Sequence, residues 1–325
     1  MIAALTRHPI KSALYSREPY VREAALDVNE VLGDNAVPTL LIHGLVLVRP
    51  DGVALGRTTA VVEFFTARGF AVADVRTVSS SPTVWRTLGI YQLTQASLDR
   101  ILVNELIMTG DAIALLFCRR DGSPLPAAVE VSALKGPAQQ ENQSADCLRR
   151  AIGQPNRLFS LVHSADEPVD VLRELAILFQ KHERREVLRA MRTPALNRSA
   201  TELLERIRRD DTLPPRHFDP VRSRSLVQQA IDARLSNAVD LSPAQALLLR
   251  RGAAELNGGT GHRFAEFLGA LLDAGIAVDP WDLAVAASEV ITTEQPGTAK
   301  IIENFGVKAW SAPFTESARP RSRAR

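Results

Sequence analysis

An apolar run, Leu45-Val46-Leu47-Val48, breaks at the cation Arg49 and turns at once through Pro50-Asp51-Gly52. The pattern is that of a strand delivering a positive charge to a binding site. More than a hundred residues on, Leu158-Phe159-Ser160-Leu161-Val162 runs into His163, ahead of the acidic pair Asp166-Glu167 where a helix can start. A neutral imidazole is available near pH 7 and suits the role of nucleophile in phosphoryl transfer. Beyond that, the reaction asks the protein mainly for cations to hold charged oxygens.

Elements able to position these residues follow from the hydrophobic pattern. Strands are expected at Leu45 to Val48, Phe70 to Val78, Ala112 to Phe117 and Leu158 to Val162. Helices are expected between and after them: Thr58 to Arg68 stopping at Gly69, Leu98 to Met108 stopping at Gly110, and Val169 to Phe179 with Leu172, Leu175, Ala176 and Phe179 on one face. Strand, helix, strand, helical insertion, strand, helix, strand, helix is the order of a split βαβ, ferredoxin-like α+β sheet.

After residue 180 helical signals take over. Ser199 with Glu202 reads as a capping box, Ser242-Pro243 with Gln245 opens another helix, Phe264 to Leu272 repeats at i, i+3, i+4, and Asp279-Pro280 starts one more. The expected division is an N-terminal extension at 1–42, a sheet domain at 43–180, a charged linker at 181–197, a helical domain at 198–312 and a basic disordered tail at 313–325. The charged run from His182 to Arg192 reads as a solvated helix face, and His43 as an edge residue before the first strand.

The chain has 325 residues, 46% hydrophobic and 23% charged, which suits two globular domains. No apolar run reaches the roughly twenty residues of a membrane span. The N-terminus lacks the pattern of a secretory signal, so a cytoplasmic location is expected. A net charge of +2 argues against a general nucleic-acid binder. Cys118 and Cys147 make no disulfide framework and lack metal-site spacing. The turn Asn257-Gly258-Gly259-Thr260-Gly261-His262-Arg263 lacks the spacing of a P-loop and reads as an interhelical loop.

The two segments resemble the signatures of nucleoside diphosphate kinases, and the resemblance runs from Leu45 to Phe179. It implies that His163 is the histidine that takes the phosphoryl group. Glu174, eleven residues on, would be the glutamate that orients its ring. Arg49 stands for the lysine of Lys-Pro-Asp-Gly as a γ-phosphate contact. Tyr91 falls on the family's active-site tyrosine, and Arg150, thirteen residues before His163, on the arginine of Thr-Ile-Arg-Gly. Ser160 replaces the asparagine that binds the sugar, and Asp166 matches the aspartate after the histidine and suits a helix N-cap.

Other positions depart from the pattern. Ser164-Ala165 replaces Gly-Ser, Ala138 a phosphate-contacting threonine and Ser132 a phosphate-binding arginine, while no base-stacking phenylalanine stands near Leu98 or Asp99; Arg149, Lys135 or a residue of the second domain could compensate. The resemblance implies a phosphotransferase that takes Mg²⁺ with its nucleoside triphosphate donor and passes the group to a nucleoside diphosphate or another phosphate compound. It also implies self-association, which the extra segments could block. The alternative is an inactive nucleotide-binding or protein-interaction module whose function lies in the helices.

Overall fold

The computed structural model describes residues 1–193, 196–236, 241–258, 263–304 and 306–311. Strands β1 (His43–Val48), β2 (Ala71–Ser80), β3 (Gly110–Cys118) and β4 (Val162–Ser164) form one antiparallel sheet in the order β2-β3-β1-β4. The ferredoxin-like α+β reading is the fold observed. β1 lies between β3 and β4, with Leu47 opposite both Ala114 and His163. A central strand with both faces covered explains why β1 is buried at every position instead of alternating.

Side-chain alternation sends Val46, Val48, Ile113, Leu115 and Phe117 to one face. There they meet helices Thr58–Thr66 and Leu98–Ile107, and the rings of Phe65 and Phe117 lie 4.7 Å apart. The C-terminal helices Arg198–Asp210, Pro220–Ser236, Pro243–Gly258, Phe264–Asp273 and Pro280–Ala287 continue this same core. Phe159, just before β4, joins it through edge-on contacts with Phe218 and Trp281. The helical region thus shares its hydrophobic core with the sheet.

Leu45, Leu47, Ala114 and Leu116 point to the other face, beneath helix Pro168–Leu178 and the N-terminal helices Pro9–Tyr15 and Pro19–Leu32. Residues Lys181–Ala190 are a helix, not an open linker. The helix reading of the charged run holds, but its partners lie outside the helix. Arg184 is buried and bonds Asp27 at 2.6 Å, and Arg185 pairs with Glu30.

Several local expectations change. The last strand is Val162–Ser164 and not Leu158–Val162, because residues 158–161 form a turn whose polar groups serve the site. Asn197, not Ser199, caps helix Arg198–Asp210, its side chain accepting from Ala200 N–H at 2.8 Å. Glu167, not Asp166, caps Pro168–Leu178 through a reciprocal box with Asp170. His43 is fully buried in β1, bonded to Thr39 O at 2.7 Å, and burial pushes its imidazole down to about 4. No described helix is long and apolar enough to cross a membrane. Residues 259–262 of the glycine-rich turn and the basic tail lie outside the described residues.

Candidate active site

β1 ends at Arg49, whose extended backbone precedes the short helix Pro50–Ala54 with proline in its first turn. The guanidinium is buried and spoken for. It donates to Asp51 Oδ1 (3.1 Å), Ser160 Oγ (2.5 Å), Leu158 O (3.1 Å) and Asn104 Oδ1 (3.4 Å). The planar fork of arginine can satisfy four acceptors at once, which a lysine ammonium cannot do in this geometry. Arg49 therefore ties the end of β1 to the turn before β4. Ser160, expected at the nucleotide, is an acceptor in this tie.

That turn is under backbone strain. Leu161 has φ of 61°, a left-handed conformation that non-glycine residues adopt at a cost of about 1–2 kcal/mol. Its N–H is held by Asp51 Oδ2 at 3.2 Å, and its carbonyl accepts from Arg49 N–H at 2.9 Å. Gly52 must be glycine because a Cβ there would sit 2.5 Å from Leu161 O. The Arg-Pro-Asp-Gly sequence thus clamps the turn that launches β4 and His163.

His163 is the middle residue of β4. Its Nε2 lies 2.8 Å from Glu174 Oε1, with the carboxylate buried (5% exposed) and the ring 35% exposed. No described residue bonds Nδ1, the second ring nitrogen. Glu174 sits mid-helix in Pro168–Leu178, and the N-terminal segment pins that helix. Lys11 Nζ and Tyr15 Oη reach Asp170 at 2.5 and 2.8 Å, while Arg173 binds Glu18 at 2.6 Å. Desolvation opposes the charge on Lys11, but Asp170, Asp166 and Glu167 outweigh it and hold the ammonium above its ordinary range.

His163 opens onto a cavity of about 90 Å³ that Arg49, Arg149, Ser160 and Trp85 also line. At roughly 30 Å³ per water it has the scale of one phosphoryl group, well below the roughly 300–1,000 Å³ that hold a whole small molecule. A second cavity of about 490 Å³ adjoins it through Arg149, which lines both. Arg100, Lys135, Arg157 and Lys300 line the larger one, with Asp166 its one carboxylate. Burial pushes Arg149 and Arg100 each down to about 10, helped by the neighbouring Arg49 and Arg157 respectively. Burial likewise lowers Lys135, against the pull of Asp166 3.6 Å away.

Of the two adjacent arginines it is Arg149 that enters the site. Its guanidinium is buried and donates to Gly136 O at 2.7 Å and Val162 O at 2.8 Å. Arg150 is exposed and lines neither cavity, because one step along the short helix Leu148–Ala151 turns it to the outside. Tyr91 also lines neither cavity. Its hydroxyl is 3.5 Å from Glu18 and its ring lies tilted beside Tyr15 and under Arg173, within the N-terminal network. Ser132 donates to Asp166 at 2.6 Å, and Lys135 to Ser164 Oγ at 2.7 Å. Arg100 escaped the sequence reading; a cation in the first turn of a helix, against its dipole, was the available signal.

The fold and this site together define a ferredoxin-like domain carrying a histidine–carboxylate pair beside a cationic cavity. Residues 43–184 match the family model of nucleoside diphosphate kinase. The chain therefore carries a nucleoside diphosphate kinase-family domain, with a further helical region beyond it. Among solved structures it is similar to the Aquifex aeolicus nucleoside diphosphate kinase in its C222 crystal form, at 18% identity over 43% of this chain and 95% of that one, with a TM-score of 0.34. It is also similar to a nucleoside diphosphate kinase family protein from Babesia bovis, at 17% over 43% and 90%, TM-score 0.36. An NDP kinase from Pyrobaculum aerophilum matches at 18% over 44% and 97%, TM-score 0.33. A comparison with curated proteins finds no match.

Proposed function

We propose that this domain is a phosphotransferase that works through a phosphohistidine at His163. The observation that carries the reading is the 2.8 Å contact of His163 Nε2 with buried Glu174, in a ring that lines a phosphoryl-sized cavity and whose Nδ1 no described residue bonds. Nδ1 would attack the γ-phosphorus of a nucleoside triphosphate. A P–N bond forms, the bridging P–O bond breaks, and the diphosphate leaves with the electron pair. Nε2 keeps its proton, and Glu174 stabilises the positive charge that the ring acquires. Return of the group to a nucleoside diphosphate or another phosphate acceptor reverses these steps.

Arg149 bridges the two cavities and would face the transferring oxygens, while the larger cavity would take the rest of the donor. Among the described residues no cluster of three His, Cys, Asp or Glu side chains is arranged for a metal. Mg²⁺ carried by the donor would neutralise phosphate oxygens, and Asp166, the carboxylate lining the larger cavity, is the residue that would be available to it.

A second reading, a nucleotide-binding module without transfer, is favoured by Arg49, whose donors are committed to protein acceptors. Incubation with γ-labelled ATP or GTP and Mg²⁺, beside His163→Ala, separates the two. Acid-labile, base-stable label that vanishes in the variant supports transfer. Nucleotide binding without label supports the module.

A further inference from the structure

Arg100 is placed against three opposing physical preferences. It lies in the first turn of helix Leu98–Ile107, at the positive end of the helix dipole, behind the Ser97 cap. Its charge is largely removed from water near two other cations, Arg157 and Arg49, with Glu294 the carboxylate that acts in its favour. Its Nη1 is buried with no acceptor among the described residues. A buried guanidinium N–H without an acceptor costs on the order of 1–3 kcal/mol, and a helix start is a poor place for a cation.

The other cations of the larger cavity have partners within the protein. Arg149 binds backbone carbonyls, Lys135 binds Ser164, and Arg157 binds Glu294 and Thr293. Arg157 and Lys300 are fixed by the C-terminal segment, whose backbone bonds Gln95 and Tyr91 and whose Asn304 reaches Ser132. The cavity therefore holds five basic side chains against Asp166. The remaining described wall is amide, small and aliphatic, with no aromatic ring on which a nucleobase could stack.

We propose that the larger cavity is a site for a phosphate chain, with Arg100 its dedicated ligand, and that it binds the chain without reading a base. Inorganic tripolyphosphate and the triphosphate of a nucleotide share the chemistry that the cavity calls for: closely spaced oxyanions for a guanidinium whose Nη1 has no acceptor among the described residues. The inference rests on the phosphotransferase reading only in treating that chain as the donor. Binding itself requires nothing of His163.

The test is calorimetric titration of the full-length protein with tripolyphosphate and with ATP, at fixed ionic strength, for wild type, Arg100→Met and Arg100→Lys. Tripolyphosphate is expected to bind within about threefold of ATP, and Arg100→Met to weaken both by at least about tenfold, the loss of one charged hydrogen-bond donor set. Arg100→Lys restores part of the affinity. Thermal melts add an independent readout, because Arg100→Met removes a desolvated guanidinium whose Nη1 has no described acceptor and should raise the melting temperature of the empty protein while weakening ligand binding.

ATP binding more than about tenfold tighter than tripolyphosphate would show that the base is read and overturn the proposal. So would absence of binding by both ligands, or an affinity untouched by Arg100→Met. Tight tripolyphosphate binding with no label on His163 would defeat the phosphotransferase reading and leave this site standing.

Discussion

Glu174 holds His163 through one oxygen, 2.8 Å from Nε2, while its other oxygen, Oε2, is buried and accepts from no described group. A carboxylate with an idle buried oxygen is costly to keep for structure alone. Glu174→Gln preserves a carbonyl that can accept from the ring but removes the charge that stabilises the phosphorylated imidazole. Labelling of His163 from γ-labelled ATP should slow by about 10- to 100-fold, the usual effect of losing a group that orients and charges an imidazole. Undiminished labelling would show that the carboxylate plays no part.

Arg49→Lys separates a structural tie from a ligand. Because Asp51, Ser160, Leu158 and Asn104 all depend on the guanidinium, the variant should lose about 2 kcal/mol in urea denaturation. An unchanged midpoint with weakened nucleotide binding would instead mark Arg49 as a phosphate contact first and a tie second.

Gly52→Ala drives a Cβ toward Leu161 O, backbone that cannot swing aside. A destabilisation of about 1–3 kcal/mol is expected, along with slower His163 labelling as the launch of β4 shifts. Gly269→Ala is the control. Its added Cβ meets nothing within 4 Å in helix Phe264–Asp273, so stability should rise by about 0.5–1 kcal/mol. Equal behaviour of the two variants would contradict the clamp.

Asp166 sets a pH dependence. Burial works against its ionisation, but Lys135, Lys11 and the Ser132 hydroxyl overcome it and bring the carboxyl down to about 2 from an ordinary 3.8. A folded-state value below the unfolded one means that ionised Asp166 stabilises the fold above about pH 4, by on the order of 2 kcal/mol, and that this contribution fades as pH falls toward 2. Stability curves of wild type and Asp166→Asn should therefore be separated at pH 5 to 7 and converge in acid. Curves that stay parallel down to pH 2 would refute the assignment.

Much of this protein was legible in order along the chain. Short β-branched and aliphatic runs at Leu45, Ala112 and Phe70 announce strands, because a buried sheet demands them whatever surrounds it, and helix periods between them leave few topologies open. The pairing of His163 with Glu174, eleven residues on, is what the family resemblance implies, and the fold brings it about because a strand followed at once by a helix packed back on it sets those positions together. Tertiary structure decided the rest. Whether Arg149 or Arg150 faces inward depends on the phase of a four-residue helix, which no periodicity can reveal at that length. Whether Arg49 meets a ligand or Asp51, Ser160, Leu158 and Asn104 depends on its own turn and on groups from two distant segments. Arg100 becomes unusual only once folding has largely desolvated it near Arg157 with no described acceptor for Nη1, since the cost of desolvating a charge has no signature in the sequence itself.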